Sequence, residues 1–170
     1  MPQPTYFSGV IEMQRLNYQD QAPALFRKFI EFNIALKDGS IEEKIRDLVE
    51  IRASQLNGCG FCLDMHVKQA KIHGERELRL HHIAAWRDST LFDPRERAAL
   101  AWTEVLTKLP EQGVPDDIYE RVRSQLSEKE IVDLAYVVMA INGWNRLNVA
   151  FKTVPGSADA AFGLDKSGLK

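Results

Sequence analysis

Both cysteines of the chain lie within four residues of each other, in Cys59-Gly60-Phe61-Cys62, and His66 follows one helical turn later. Two thiols three positions apart can be oxidised to a disulfide and reduced again with little movement of the backbone. A histidine four residues after the second cysteine lies on the same face of a helix, where it can take or give the proton that each step requires. The spacing therefore predicts thiol redox chemistry.

The residues around the pair place it at the start of a helix. Asn57-Gly58 interrupts the preceding apolar pattern, so a new helix is expected from about Cys59 to His73-Gly74. Free backbone N–H groups and the positive end of the helix dipole stabilise a thiolate at such a position. There a cysteine pKa can fall from ~8.5 into the range ~3.5–7.5. One of the two thiols is therefore expected to be ionised at neutral pH.

Two carboxylates precede the pair on the neighbouring helix. Asp47 and Glu50 are three residues apart, and Ser54 lies on the same side four residues later. If the two helices pack as a hairpin, one of these carboxylates orients His66, and the imidazole passes protons to the thiols. The spacing leaves open which carboxylate does so.

Two other roles for the cysteine pair remain as alternatives. A zinc site would need His73 or His82 to complete its ligands. The chain has no second Cys-x-x-Cys, however, and the ligands would crowd one helix. Two unreactive thiols that only fill space in the core are the other alternative. The glycine before the pair and the histidine after it favour redox chemistry that needs no metal or bound cofactor.

The composition is that of one globular domain. The chain has 170 residues, of which 45% are hydrophobic and 27% charged, and its formal net charge of -2 gives no basis for binding nucleic acid or an anionic membrane. The segment from Met1 to Pro4 lacks the basic and apolar regions of a secretory signal, and the apolar run from Leu134 to Ile141 is too short to span a bilayer. A reducing cytoplasm is the expected compartment.

Helical periodicity dominates the chain, and capping signals mark the helix starts. Ser40 to Glu43, Asp93 to Glu96 and Ser127 to Glu130 all have the pattern of a capping box. The sequence predicts an all-α fold, a single domain of six or seven helices. We divide it into an N-terminal arm (1–20), the helical domain (21–151) and a flexible C-terminal tail (152–170), which is either mobile or docked on a partner subunit.

The segment from Asp47 to His66, which contains Cys-x-x-Cys-x-x-x-His, resembles the core motif of the alkyl hydroperoxidase D-like branch of the carboxymuconolactone decarboxylase family. Leu91 to Leu100 fits the same family, and Asn142 to Arg146 is similar to a segment typical of one subgroup. The resemblance spans about residues 20–150. It implies an all-α hairpin fold that assembles as a homo-oligomer, usually a trimer or a hexamer. Decarboxylase members lack the cysteine pair, which argues against lactone decarboxylation here.

The resemblance also implies roles for individual residues. Cys62 matches the cysteine that attacks the peroxide, and Cys59 matches the proton donor that then resolves the sulfenic acid to a disulfide. His66 matches the relay histidine. Asp47 stands where the family has a glutamate, one methylene longer, and Glu50 is the alternative carboxylate.

These roles imply a thiol-dependent peroxidase, an antioxidant enzyme that reduces hydroperoxides. Phe61 stands where the best-known peroxidase has a histidine, which predicts a drier pocket with one proton carrier fewer, and hence low peroxidase turnover or a different oxidant. An external dithiol of the lipoyl or thioredoxin type is the expected reductant. The alternative is a non-enzymatic oligomeric redox sensor or disulfide-exchange module.

Overall fold

The structure, a computed structural model, describes residues 14–169 and is helical with no β-strand in that range. Its nine α-helices are α1 (Tyr18–Gln21), α2 (Pro23–Ala35), α3 (Glu43–Asn57), α4 (Gly60–Ile72), α5 (Glu77–His82), α6 (Pro94–Thr107), α7 (Asp116–Arg123), α8 (Glu128–Phe151) and α9 (Asp159–Phe162). The predicted all-α class is confirmed. The seven longest helices, α2 to α8, are the predicted ones, whereas α1 and α9 have only four residues each and are too short to show a periodic pattern.

Two of the predicted capping boxes are confirmed. The Asp93 side chain accepts from the backbone N–H of Glu96, whose carboxylate accepts from the N–H of Asp93 in return. Ser127 and Glu130 make the same reciprocal pair at the start of α8. Each box satisfies two backbone donors that the first turn of a helix leaves free.

The capping box predicted at Ser40 is wrong. Helix α3 begins at Glu43, and its N-cap residue, Glu42, makes no capping hydrogen bond with its side chain. The backbone N–H and the hydroxyl of Ser40 both donate to Asp133 of α8, at 2.7 Å. The serine therefore ties the preceding loop to α8 instead of capping α3, a long-range contact that the local pattern does not contain.

Helices α3 and α4 form an antiparallel hairpin at the centre of the domain. Gly58, with φ of 64°, adopts the left-handed conformation that ends α3 and reverses the chain. Two contacts show the register of the hairpin: Glu50 faces His66, and Asp47 faces His73. The lower residue number on α3 is therefore paired with the higher one on α4, as in an antiparallel pair. Helix α3 also packs on α6 and α8. The core that they share is apolar and includes Ile45, Leu48, Val49, Ile51, Leu100, Leu134 and Val138.

Both ends of the described chain pack on this framework. The N–H of Arg15 donates to the carbonyl of Phe151 at 2.9 Å, which holds the first described residues on the end of α8. After α8 the chain returns to α4, where Lys68 pairs with Asp159 at 2.7 Å and Leu164 is buried. The tail expected to be flexible or docked on a partner thus lies on its own chain. The division at residues 20 and 151 stays a prediction, and residues 1–13 of the arm lie outside the described range. None of the helices in residues 14–169 has the length and apolar character needed to cross a membrane.

Candidate active site

The cysteine pair forms the first turn of α4. Cys59 is the N-cap residue, and its Sγ accepts a hydrogen bond from the backbone N–H of Cys62 at 3.3 Å. The two cysteines are joined in a disulfide, and each is only 2% exposed. Ala53, Ile141 and the partly buried Phe61 and Trp144 pack around the two sulfurs. The pair therefore lies at a helix start as predicted, inside an apolar cluster.

An imidazole and a carboxylate face each other one turn beyond the pair. Nδ1 of His66 lies 3.1 Å from Oε2 of Glu50, close enough for an ion pair, although the N–H is not aligned on the oxygen as in a hydrogen bond. Burial opposes a charge on His66, but the Glu50 carboxylate, with smaller contributions from Gln69 and Asp47, outweighs it and raises the pKa of His66. Burial likewise opposes the charge on Glu50, yet His66, with smaller contributions from Arg46 and Lys37, lowers the pKa of Glu50. The geometry thus favours an imidazolium beside a carboxylate at neutral pH.

The other predicted carboxylate, Asp47, faces a different histidine. Its Oδ2 lies 2.8 Å from Nδ1 of His73, two helical turns after His66. Burial raises the pKa of Asp47 to about 6, more than the hydrogen bond from His73 lowers it, and the nearby Glu50 and Glu43 raise it further. Of the two candidates, the structure brings Glu50 to His66 and leaves Asp47 with His73.

Replacing Asp47 by asparagine is expected to make the folding stability of the protein less sensitive to rising pH. The folded state holds the Asp47 proton up to about pH 6, whereas an unfolded aspartate releases it near pH ~3.9. Folding stability therefore falls as pH rises from ~4 through ~6, by up to about 3 kcal/mol, and Asp47→Asn removes that loss. Urea unfolding of the wild type and of Asp47→Asn at pH 4 and pH 7.5 measures this loss of stability. A stability difference between the two proteins that is the same at both pH values would contradict the expectation.

Sequence reasoning missed one polar group at the sulfurs, Asn148 on α8. Its Nδ2 lies 3.5 Å from Cys62 Sγ and donates a second bond to the carbonyl of Trp144 at 2.9 Å. Its Oδ1 accepts a hydrogen bond from the Tyr18 hydroxyl at 3.1 Å. The available signal was the three-residue spacing of Asn142, Asn145 and Asn148, which puts three asparagines on one side of α8.

The other two asparagines hold the turn that carries the cysteines. Asn57 Nδ2 donates to Oδ1 of Asn142 at 3.0 Å and of Asn145 at 2.8 Å. Asn145, fully buried, also donates to the hydroxyl of Ser54 at 3.1 Å. Buried amides of this kind are stable only when paired, so this network fixes the end of α3 against α8.

A cavity of about 460 Å³ leads to Cys62. Helices α2, α4, α8 and α9 supply its apolar side, and α3 and α4 supply its polar side. The apolar lining includes Phe26, Ile30, Phe61, Met65, Trp144 and Phe162, and the polar lining includes Arg46, Asp47, Glu50, His66, Gln69 and His73. Phe61 lines the cavity next to Cys62, which agrees with the drier pocket expected from the sequence.

The zinc alternative finds no support in the part of the chain that the structure describes. Within residues 14–169, no group of three or more His, Cys, Asp or Glu side chains is placed to hold a metal ion. His73 is engaged by Asp47, and Nδ1 of His82 lies 3.0 Å from the hydroxyl of Ser89.

Fold and site together define a class: an all-α domain whose central hairpin carries a disulfide-forming Cys-x-x-Cys beside an imidazole–carboxylate pair. The chain belongs to the carboxymuconolactone decarboxylase family, which matches residues 23–105, and within it to the alkyl hydroperoxidase D-like branch. The resemblance seen in the sequence is thereby confirmed.

Two relatives and two solved structures show the range of similarity. The uncharacterized protein YdfG of Bacillus subtilis is 39% identical over 137 residues, which cover 81% of this chain and 93% of YdfG. The uncharacterized protein YnjA of Escherichia coli is 29% identical over 130 residues, 72% of this chain and 70% of YnjA.

Among solved structures, ATU0492 of Agrobacterium tumefaciens, a protein of unknown function suggested to be the antioxidant defence protein AhpD, superposes with a TM-score of 0.81. It is 36% identical, and the match covers 84% of this chain and 97% of that one. The debrominase Bmp8 has a TM-score of 0.73 at 18% identity, over 88% of this chain and 80% of its own, which shows a shared fold alone.

Proposed function

We propose that this protein is a cytoplasmic thiol-dependent peroxidase, an oxidoreductase that reduces hydroperoxides through Cys59 and Cys62 and is regenerated by an external dithiol. One observation supports this most strongly: Cys62 lines a cavity whose wall also carries the Glu50–His66 pair, one turn further along α4. A thiolate and a proton donor in one largely apolar pocket are what peroxide cleavage requires.

The reaction proceeds in three steps. Cys62 thiolate attacks the terminal peroxide oxygen, so that an S–O bond forms, the O–O bond breaks and the departing alkoxide or hydroxide takes a proton from His66. The Cys59 thiol then attacks the sulfur of the resulting sulfenic acid, which forms the Cys59–Cys62 disulfide and releases water. An external dithiol finally reduces this disulfide by thiol–disulfide exchange and is itself oxidised to a disulfide.

Burial of the sulfurs bears on the choice among oxidants and reductants. With 2% of each cysteine exposed, an oxidant must come through the cavity, which favours a small molecule over the disulfide of another protein. The same restriction favours a reductant that presents its dithiol on a narrow flexible arm, as a lipoyl group does, over one that presents it on a broad surface, as thioredoxin does. We further propose that the chain works as a homo-oligomer.

Steady-state consumption of hydroperoxide with an excess of dithiol tests the proposal. Wild-type protein is expected to turn over many times, Cys62→Ser to be inactive, and Cys59→Ser to turn over far more slowly, because its sulfenic acid cannot form the internal disulfide and must be reduced directly by the external dithiol. Oxidation of the wild type that ends after one equivalent despite excess dithiol would contradict an enzyme and support the redox-sensor alternative.

A further inference from the structure

The amide of Asn148 has its orientation fixed by its partners. The carbonyl oxygen of Trp144 can only accept, so the group that faces it at 2.9 Å must be the Asn148 nitrogen. The second hydrogen on that nitrogen is then directed to Cys62 Sγ at 3.5 Å. Asn148 is 4% exposed, so little of its surface is in contact with bulk solvent.

Tyr18 holds the other end of the amide. Its hydroxyl donates to Asn148 Oδ1 at 3.1 Å, and its ring packs against Phe26 and Phe151. Burial raises the pKa of Tyr18, so the hydroxyl keeps its proton at neutral pH and remains a donor. All hydrogen-bonding atoms of the Asn148 side chain are thus engaged, and the donor to the sulfur is held in place by two partners, the Trp144 carbonyl and the Tyr18 hydroxyl.

The two sulfurs receive different donors. Cys59 Sγ accepts from the backbone N–H of Cys62 at the helix start, which would favour a negative charge on Cys59. Cys62 Sγ accepts from Asn148, and a hydrogen bond to an anion is stronger than one to a neutral acceptor. The side-chain donor from α8 therefore shifts the preference for the thiolate towards Cys62.

We propose that Asn148 is a catalytic residue that donates a hydrogen bond to Cys62 Sγ and selects Cys62 as the thiolate, and that Tyr18 is the positioning residue that aims its amide. The inference rests on the proposed function, in which Cys62 attacks the oxidant. It supplies a donor at the attacking sulfur in a pocket where Phe61 provides none.

The pH dependence of alkylation tests this without any peroxide. The parent is reduced Cys59→Ser, in which serine retains the capping acceptor and Cys62 is the remaining thiol. Adding Asn148→Leu, which keeps the shape of the amide without its polar atoms, is expected to raise the midpoint of iodoacetamide reactivity by about one pH unit, a tenfold smaller thiolate fraction at low pH. Asn148→Asp, which places a carboxylate by the sulfur, is expected to raise it further.

Two matched controls separate this role from a structural one. Thr103→Val removes a buried hydroxyl of α6, which donates to the carbonyl of Ala99 at 2.7 Å, and is expected to leave the Cys62 midpoint unchanged. Asn148→Leu in the Cys62→Ser background is expected to leave the Cys59 midpoint unchanged. Tyr18→Phe keeps the asparagine and the aromatic ring, and it is expected to raise the Cys62 midpoint by less than Asn148→Leu does.

The inference is overturned if Asn148→Leu leaves the Cys62 midpoint in place, or if Thr103→Val moves it as far. Should Asn148→Leu fail to fold by circular dichroism, Tyr18→Phe decides, since an unmoved midpoint there contradicts the proposed aiming of the amide. The outcome is separate from that of the proposed function: a protein that consumes no hydroperoxide can still show the alkylation shift, and an active peroxidase can lack it.

Discussion

At pH 7, Glu50→Gln is expected to slow hydroperoxide reduction by at least about 100-fold, the usual contribution of a positioned proton donor. The Glu50 carboxylate raises the pKa of His66, so wild-type protein keeps its imidazolium as pH rises past the ordinary histidine range near ~6.5. Glutamine removes the largest of the contributions that offset burial and leaves the smaller ones from Gln69 and Asp47, so the pKa of His66 falls. The decline of activity at high pH should therefore move to lower pH, and initial rates measured from pH 5 to pH 9 with excess dithiol show this.

Asp47→Asn is the matched comparison for that variant. Its carboxylate contacts His73 at 2.8 Å and only influences His66 from a distance. We expect a much smaller loss of rate and a nearly unchanged profile at high pH. If Asp47→Asn were instead the more damaging change, the assignment of Glu50 as the partner of His66 would be wrong.

Arg79→Met is expected to lower the free energy of unfolding by about 3 kcal/mol, because it takes the buried cation away from the Glu96 carboxylate and leaves it only the more exposed Lys44. The Arg79 guanidinium donates to both oxygens of Glu96, at 2.6 Å and 3.2 Å, and to Glu75 at 2.9 Å. Arg79 is 4% exposed and Glu96 is 2% exposed. Burial opposes the charge on Glu96, yet Arg79 and Lys44 outweigh it and lower the pKa of Glu96. Urea unfolding at pH 7 measures the effect.

The double variant Arg79→Met, Glu96→Gln serves as the control. Removing the Glu96 charge as well should recover part of the lost stability. The recovery is partial because glutamine makes weaker hydrogen bonds to Lys44 and to the N–H of Asp93 than the carboxylate does. A double variant that is as unstable as the sum of the two single changes would show that the two groups are not coupled, contrary to the contacts described.

The features that could be predicted from the sequence were those formed by residues close together along the chain. The capping pairs that begin α6 and α8 involve residues three apart, so Asp93 with Glu96 and Ser127 with Glu130 could be read directly. Ser40 had the same local pattern, but its partner is Asp133, 93 residues away, so the pattern was misleading there. The family resemblance supplied the hairpin that local signals could not.

The candidate site shows the same difference between residues that are close in the sequence and residues that meet only in the fold. The cysteines and His66 lie within one stretch of α4, and their spacing was informative. Asp47 and Glu50 share a face of α3, and only the register of the hairpin decides which of them meets His66. Asn148 reaches Cys62 from another helix, 86 positions later, and nothing near the pair in the sequence points to it.

Trapping the sulfenic acid tests the central claim most directly. Reduced Cys59→Ser protein is treated with an equimolar amount of hydroperoxide in the presence of dimedone, and the modified peptide is identified by mass spectrometry. The account predicts an adduct on Cys62, and far slower labelling of Cys59 in the Cys62→Ser protein. Labelling of Cys59 in the Cys62→Ser protein, together with an unlabelled Cys62 in the Cys59→Ser protein, would contradict it, since the attacking sulfur would then be the one at the N-cap and not the one beside Asn148.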